Sequence, residues 1–235
     1  MKIIDNISLI ILSCKRFSLF KRTIESLQKN CLDLDLISQI ILVDDNSELH
    51  DLILMQDLAK KLGKPLLLVS KHQNKGHAIS MNIAWDLVKT EYCLLLEDDW
   101  ECVKSDNFIK TAFQIFNKHD NVVQVQYHRK ADITAIGQKT LKLGNKKYIK
   151  YDYNVKSVDS LGRPAFPGFT LNPSLINVKK LKENNLRFRE DIFGFEFNYA
   201  CQVAGKGLKI AYFTDNYFQH IGKNNSAYKL NETQR

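Results

Sequence analysis

Apolar runs and helical repeats alternate along the first hundred residues. ISLIILS (7–13) is a continuous apolar run of strand length and predicts a buried strand. Phe17, Phe20, Ile24 and Leu27 then recur at helical spacing, with polar residues between them. ISQIILVDD (37–45) predicts a second strand ending in two acids, and a helix follows over 48–62, stopped by Gly63 and Pro65. PLLLVS (65–70) predicts a third strand, 78–88 a helix, and YCLLLE (92–97) a fourth strand. Strands and helices joined by short connections predict an α/β fold with a doubly wound, mostly parallel sheet.

The second half reads differently. A helix is expected over 107–117, and VVQVQYHR (122–129) alternates as a half-exposed strand. TLKLGNKKYIKY (140–151) carries a Gly144–Asn145 turn between alternating segments, the pattern of a hairpin. A turn-rich loop follows over 161–173, a helical pattern begins near Pro173, a helix covers 195–204, and KIAYF (209–213) is a strand. The polar tail from 223 to 235 is expected to be mobile. With no repeat or linker, residues 1–235 are expected to form one domain.

Composition narrows the class. Hydrophobic residues make up 44%, enough for a sizeable core and too many for a disordered chain. The apolar runs fall short of a membrane span, and the N-terminus is a poor signal peptide. Five cysteines (14, 31, 93, 102, 201) are odd in number and lack CxxC spacing. A disulfide framework or zinc site is therefore not expected, and a reducing, cytoplasmic setting fits. The net charge of +8 could attract nucleic acid, phosphorylated ligands or an anionic membrane surface. Its lysines are dispersed, however, and the densest group lies along the hairpin, where it reads as solubilising. No nucleic-acid partner is expected; peripheral membrane association stays open.

In an open parallel sheet, ligands sit beyond the carboxyl ends of the strands. Those ends carry Ser13 to Arg16, Asp44 to Ser47, Lys71 to Gly76, and Glu97-Asp98-Asp99. Basic groups and carboxylates on one rim suit an anionic ligand together with a cation. The three consecutive acids repel one another and have no basic neighbour in the sequence. They match a hard-cation site for Mg²⁺ or Mn²⁺, in which one or two carboxylates act with substrate phosphates. In an extended segment, residues 97 and 99 would face the same way. No GxxxxGK[ST], GxGxxG or GxSxG motif is present.

Taken in order, SLIILSCKRFSLFKRTIESL, IILVDDNS, NKGHAISMNIAW and YCLLLEDDW resemble family-2-type glycosyltransferases of the GT-A fold. The resemblance is good over residues 5–100, weaker over 165–222 and absent over 130–160. It implies a nucleotide-sugar-binding half over about 1–100 and an acceptor-side half over about 101–222. It implies that Asp44 and Asp45 hold base and ribose, with Ser13 and Arg16 lining the pocket, Asn74 and Gly76 near the nucleotide, and Asn82 further along. Arg16 and Asn82 read equally well as helix-surface residues. Asp99 is implied as the principal metal ligand, joined by Glu97 and by His220 of the YFQHIGKNNSA segment. Asp98 is implied at the sugar or ribose, and Lys223 at a phosphate. Glu196 ranks before Asp191 as general base, and Phe166 and Phe169 are expected as stacking faces. The implied activity is metal-dependent, inverting transfer from a nucleoside-diphosphate sugar, a UDP-sugar first among donors, to a glycan or glycolipid acceptor. A sugar-phosphate nucleotidyltransferase, a retaining glycosyltransferase and a non-catalytic basic binding module are the alternatives.

Overall fold

The computed structural model describes residues 6–128, 138–153 and 165–222. β1 (Ile7–Ser13) is buried along its whole length. A continuous apolar strand requires this: strands flank it on both edges and helices cover both faces. It pairs in parallel with β2 (Ile37–Asp45) on one edge and β4 (Tyr92–Glu97) on the other. β2 pairs in parallel with β3 (Leu66–Lys71). Intervening helices α1 (Phe17–Asn30), α2 (Leu49–Lys60) and α3 (His77–Leu87) make the crossovers.

Beyond β4 the sheet turns mixed. β9 (Ser174–Asn177) runs antiparallel between β4 and β6 (Val122–Gln126), and β10 (Lys209–Phe213) lies parallel to β6. The hairpin of β7 (Thr140–Leu143) and β8 (Lys146–Tyr151) closes that side, giving the order β3-β2-β1-β4-β9-β6-β10-β8-β7. α1, α2 and α4 (Phe108–Lys118) pack on one face. α3, α5 (Val178–Glu183) and α6 (Phe195–Gly205) pack on the other.

Three sequence expectations change. The helix expected from Pro173 is instead the strand β9, because SLIN is buried on both faces between two strands. The helix starts only at Val178, where the Asn177 side chain accepts from Lys180 N at 2.9 Å. β6 alternates as predicted, but its polar Gln124 and Gln126 are buried and bonded to the 168–174 segment instead of facing water. A short strand after the acids, β5 (Trp100–Cys102), pairs with β11 (Phe218–His220). Three residues give no period to detect, so pattern reading passed over it.

Candidate active site

The carboxyl ends of β1 to β4 share one rim, and the acids at the end of β4 are its centre. Glu97 closes the strand, while Asp98 and Asp99 form a turn into β5. The alternation expected of an extended segment therefore fails, and Glu97 and Asp99 reach different partners. Asp98 is completely buried. It accepts from Ser13 Oγ at 3.1 Å, from Cys14 N at 3.1 Å and from the Arg16 guanidinium. Arg16 also donates to Asp99 Oδ2 at 2.8 Å. Burial works against the guanidinium charge, but Asp98 and Asp99 outweigh it and push Arg16 further up. The positive charge missing from the local sequence thus comes from the β1–α1 connection. Asp98, placed at the sugar by resemblance, holds that connection; Ser13 and Arg16 are bonded to it.

Asp99 faces the C-terminal strap. His220 Nε2 lies 3.1 Å from Asp99 Oδ2, and Ile221 N donates to Asp99 O at 2.9 Å. Pairing of His220 with Trp100 in the small β5–β11 sheet fixes this register. Gly222 crosses so close that an added Cβ would sit 2.2 Å from Asp99 Oδ2. Asp99 Oδ1 is buried without a hydrogen-bond partner among the described residues. An orphaned carboxylate oxygen beside an imidazole fits a divalent cation held by two protein donors and completed by phosphate oxygens. Among the described residues, no three His, Cys, Asp or Glu side chains are grouped to hold a metal without such help.

Glu97 belongs to another group. It accepts from the Trp100 indole at 3.3 Å and lies 3.2 Å from His77 Nε2. Burial, with Asp99 and Glu196 adding to it, pushes Glu97 up to about 8. Burial pushes the His77 imidazole down. At neutral pH, with no cation bound, the pair is a neutral acid against a neutral imidazole. The folded protein resists ionising Glu97, so stability is full below pH 4.5 and falls as pH rises through 8. Glu97→Gln removes that slope. In thermal melts with chelator, its Tm should match wild type at pH 4 and exceed it by about 10 °C or more at pH 9. Parallel curves across that range would refute the assignment.

At the next strand end, Asp45 accepts from Lys75 N at 2.8 Å and Gly76 N at 2.9 Å, with the buried Lys71 ammonium 2.9 Å away. Asp44 accepts from Ser47 N at 2.8 Å. Both acids therefore shape the rim loops. Gly76 has φ +86°, a backbone that favours glycine, and it starts α3 with His77 as the first helical residue. Asn74 accepts from Gly76 N and stays exposed. Asn82, expected in the nucleotide pocket, is buried and braces the segment before α6. Its amide donates to Phe188 O at 2.9 Å and Glu190 Oε1 at 2.7 Å, and accepts from Phe188 N at 3.0 Å.

On the opposite side, Glu196 sits in the first turn of α6 and accepts from Leu171 N at 2.8 Å. The neighbouring Phe195 packs on His77, with ring centroids 6.3 Å apart, which sets the start of α6 beside the rim cluster. Asp191, the other candidate base, is exposed and paired with Arg189 at 2.6 Å. Phe169 is core, packed on Tyr199. Phe166 is half-buried against the exposed Phe197. Lys223 lies outside the described residues. The sequence set Lys71 on the rim without a role, and His77 stood unremarked inside a quoted motif, because single His and Lys residues carry no spacing.

The model of "Glycosyl transferase family 2" matches residues 8–168. No curated protein matches the sequence. Among solved structures, the chain is similar to mannosyltransferase PcManGT from Pyrobaculum calidifontis in complex with GDP-Man and Mn²⁺. That match has TM-score 0.66 and 14% identity, covering 97% of this chain and 61% of that one. It is also similar to S. aureus TarS 1-349 in complex with UDP (TM-score 0.64, 14% identity, 91% and 59% covered). A third is GalNAc-T7 with UDP, GalNAc and Mn²⁺ (TM-score 0.63, 13% identity, 88% and 42% covered). The chain thus spans less than two thirds of the length of these structures, with which it shares the GT-A fold.

Proposed function

Because the chain belongs to glycosyl transferase family 2, we propose that it transfers a glycosyl group, with inversion, from a nucleoside-diphosphate sugar to an acceptor hydroxyl. One observation carries the reading: Asp99 with its orphaned oxygen and His220 stand on the rim where α6, starting Phe195-Glu196, packs on His77. The first pair suits a cation on a diphosphate; the second supplies a carboxylate for a proton. PcManGT with GDP-Man and Mn²⁺, and TarS with UDP, support a nucleotide-sugar donor and a divalent cation. A UDP-sugar is the first donor to test, with a glycan or glycolipid as acceptor.

In the transfer, the acceptor oxygen forms a bond to the anomeric carbon while that carbon's bond to the β-phosphate oxygen breaks. The leaving nucleoside diphosphate keeps the bonding electrons, and Glu196 takes the acceptor's proton. Bound between Asp99 and His220, Mn²⁺ or Mg²⁺ would neutralise charge developing on the diphosphate. Arg16 keeps Asp98 and Asp99 from repelling each other and ties the β1–α1 connection to the site. Asp45 orders the 74–76 loop beside it. Among the described residues, no helix is long and apolar enough to cross a membrane.

Titration calorimetry of UDP, GDP and dTDP, with and without Mn²⁺, tests the reading. One nucleotide is expected to bind at least about tenfold more tightly with Mn²⁺ than without it. No binding by any of the three with metal present would end the proposal.

A further inference from the structure

We propose that Gln124 is a positioning residue for Glu196, acting through the peptide group between Thr170 and Leu171. The inference rests on the reading that Glu196 takes the acceptor's proton. Gln124 lies on β6, between β9 and β10, and is completely buried. A buried side-chain amide is costly unless bonded throughout, and this one is. Its Nε2 donates to Thr170 O at 2.6 Å and to Ser174 Oγ at 2.9 Å. Its Oε1 accepts from Thr170 N at 3.2 Å and from Gln126 Nε2 at 3.0 Å. Turning the amide over would set oxygen against Thr170 O and nitrogen against Thr170 N–H, so its orientation is fixed.

Thr170 O and Leu171 N are the two ends of one planar trans peptide. With the oxygen held by Gln124, the N–H is aimed the opposite way, and there it meets Glu196 Oε1 at 2.8 Å. The loop has little freedom to turn the peptide. Gln126 Nε2 also holds Gly168 O at 2.8 Å, and Gly168, at φ +113°, is pressed against Ile210 and Tyr151, which would lie 2.8 Å from an added Cβ. The chain Gln124 N–H to Thr170 O, then Leu171 N–H to Glu196, is a run of aligned donors and acceptors in which each bond strengthens the next. Leu171 engages one carboxylate oxygen of Glu196 and leaves the other for the proton. Sequence reading gave Gln124 and Gln126 the solvent face of a strand; their role follows only from what β9 and the 168–174 segment place over them.

The test compares wild type, Gln124→Met, Glu196→Gln and the double variant in the full chain. UDP-glucose, UDP-N-acetylglucosamine and GDP-mannose serve as donors and water as acceptor, with nucleotide release as the readout. Gln124→Met should lower kcat about 10- to 100-fold while leaving the donor KM within about twofold. The double variant should fall no further than Glu196→Gln alone. Wild-type kcat in Gln124→Met, or losses that multiply in the double variant, would overturn the proposal. Should the methionine variant fail to fold, amide hydrogen exchange decides. In Glu196→Ala the Leu171 amide must lose protection while the Thr170 amide keeps it; unchanged protection at Leu171 sinks the idea. If wild type releases no nucleotide from any donor, the glycosyl-transfer reading fails, and the exchange measurement still judges the relay by itself.

Discussion

Asp99→Asn is expected to lower Mn²⁺-dependent affinity for UDP by about 100-fold and to abolish metal-dependent turnover. The reasoning begins with what surrounds the carboxylate. Arg16 Nη1 and His220 Nε2 both approach Oδ2, at 2.8 and 3.1 Å, while buried Oδ1 has no partner among the described residues. An amide there loses the charge that answers both the guanidinium and a divalent cation. It also offers N–H groups to a neighbourhood already rich in donors. Folding should survive, because Arg16 keeps Asp98, and Asp98 keeps Ser13 and Cys14. A Tm within a few degrees of wild type, together with lost Mn²⁺-dependent binding in calorimetry, is the expected pair of results. Undiminished affinity at limiting Mn²⁺ would remove Asp99 from the cation site.

How much of this was legible beforehand follows from the kind of signal each feature leaves. The parallel half was readable because each buried strand is an apolar run of strand length and each crossover helix has its own period. The site's place followed, since strand ends of a parallel sheet define a rim. The finer geometry depends on contacts between residues far apart in the chain. Arg16 neutralises acids more than 80 residues away, which no local pattern announces. Asp44 and Asp45 end β2 on the rim, as the strand reading expects, and in this structure their carboxylates are bonded to Ser47, Lys71, Lys75 and Gly76. The extended geometry assumed for residues 97 to 99 gave way because two polar residues between short strands favour a turn. β9 was misread because a four-residue buried segment is periodic in no useful sense. Glu196 ranks above Asp191 on sequence by its nearer place in the acceptor-side pattern, and the fold gives the two different surroundings. One lies at the start of a helix that packs on the sheet, and the other is exposed beside Arg189.

Gly222→Ala should affect the site almost as much as losing Asp99 does, although glycine has no chemistry to offer. An alanine Cβ at 222 would stand 2.2 Å from Asp99 Oδ2 and 2.8 Å from Asp99 Cβ and Cγ, so something must move. Neither side yields easily. Ile221 N is bonded to Asp99 O, and β11 is registered on β5 through three residue pairs ending at His220 and Trp100. Asp99 is pinned by Arg16. Relief therefore requires lifting the strap, which separates His220 from Asp99 and takes apart the pair of donors proposed to hold the cation. Overpacking of this kind costs about 1–3 kcal/mol, so Tm should fall by about 3–10 °C. Mn²⁺-dependent UDP affinity should fall by about tenfold or more, approaching the Asp99→Asn value. Gly205→Ala is the control: it ends α6 without a positive φ and has nothing within 4 Å of an added Cβ. That substitution should leave affinity unchanged and stability equal or slightly higher. If Gly222→Ala binds UDP and Mn²⁺ like wild type, the strap does not set the metal site, and His220 would have to be withdrawn as a ligand with it.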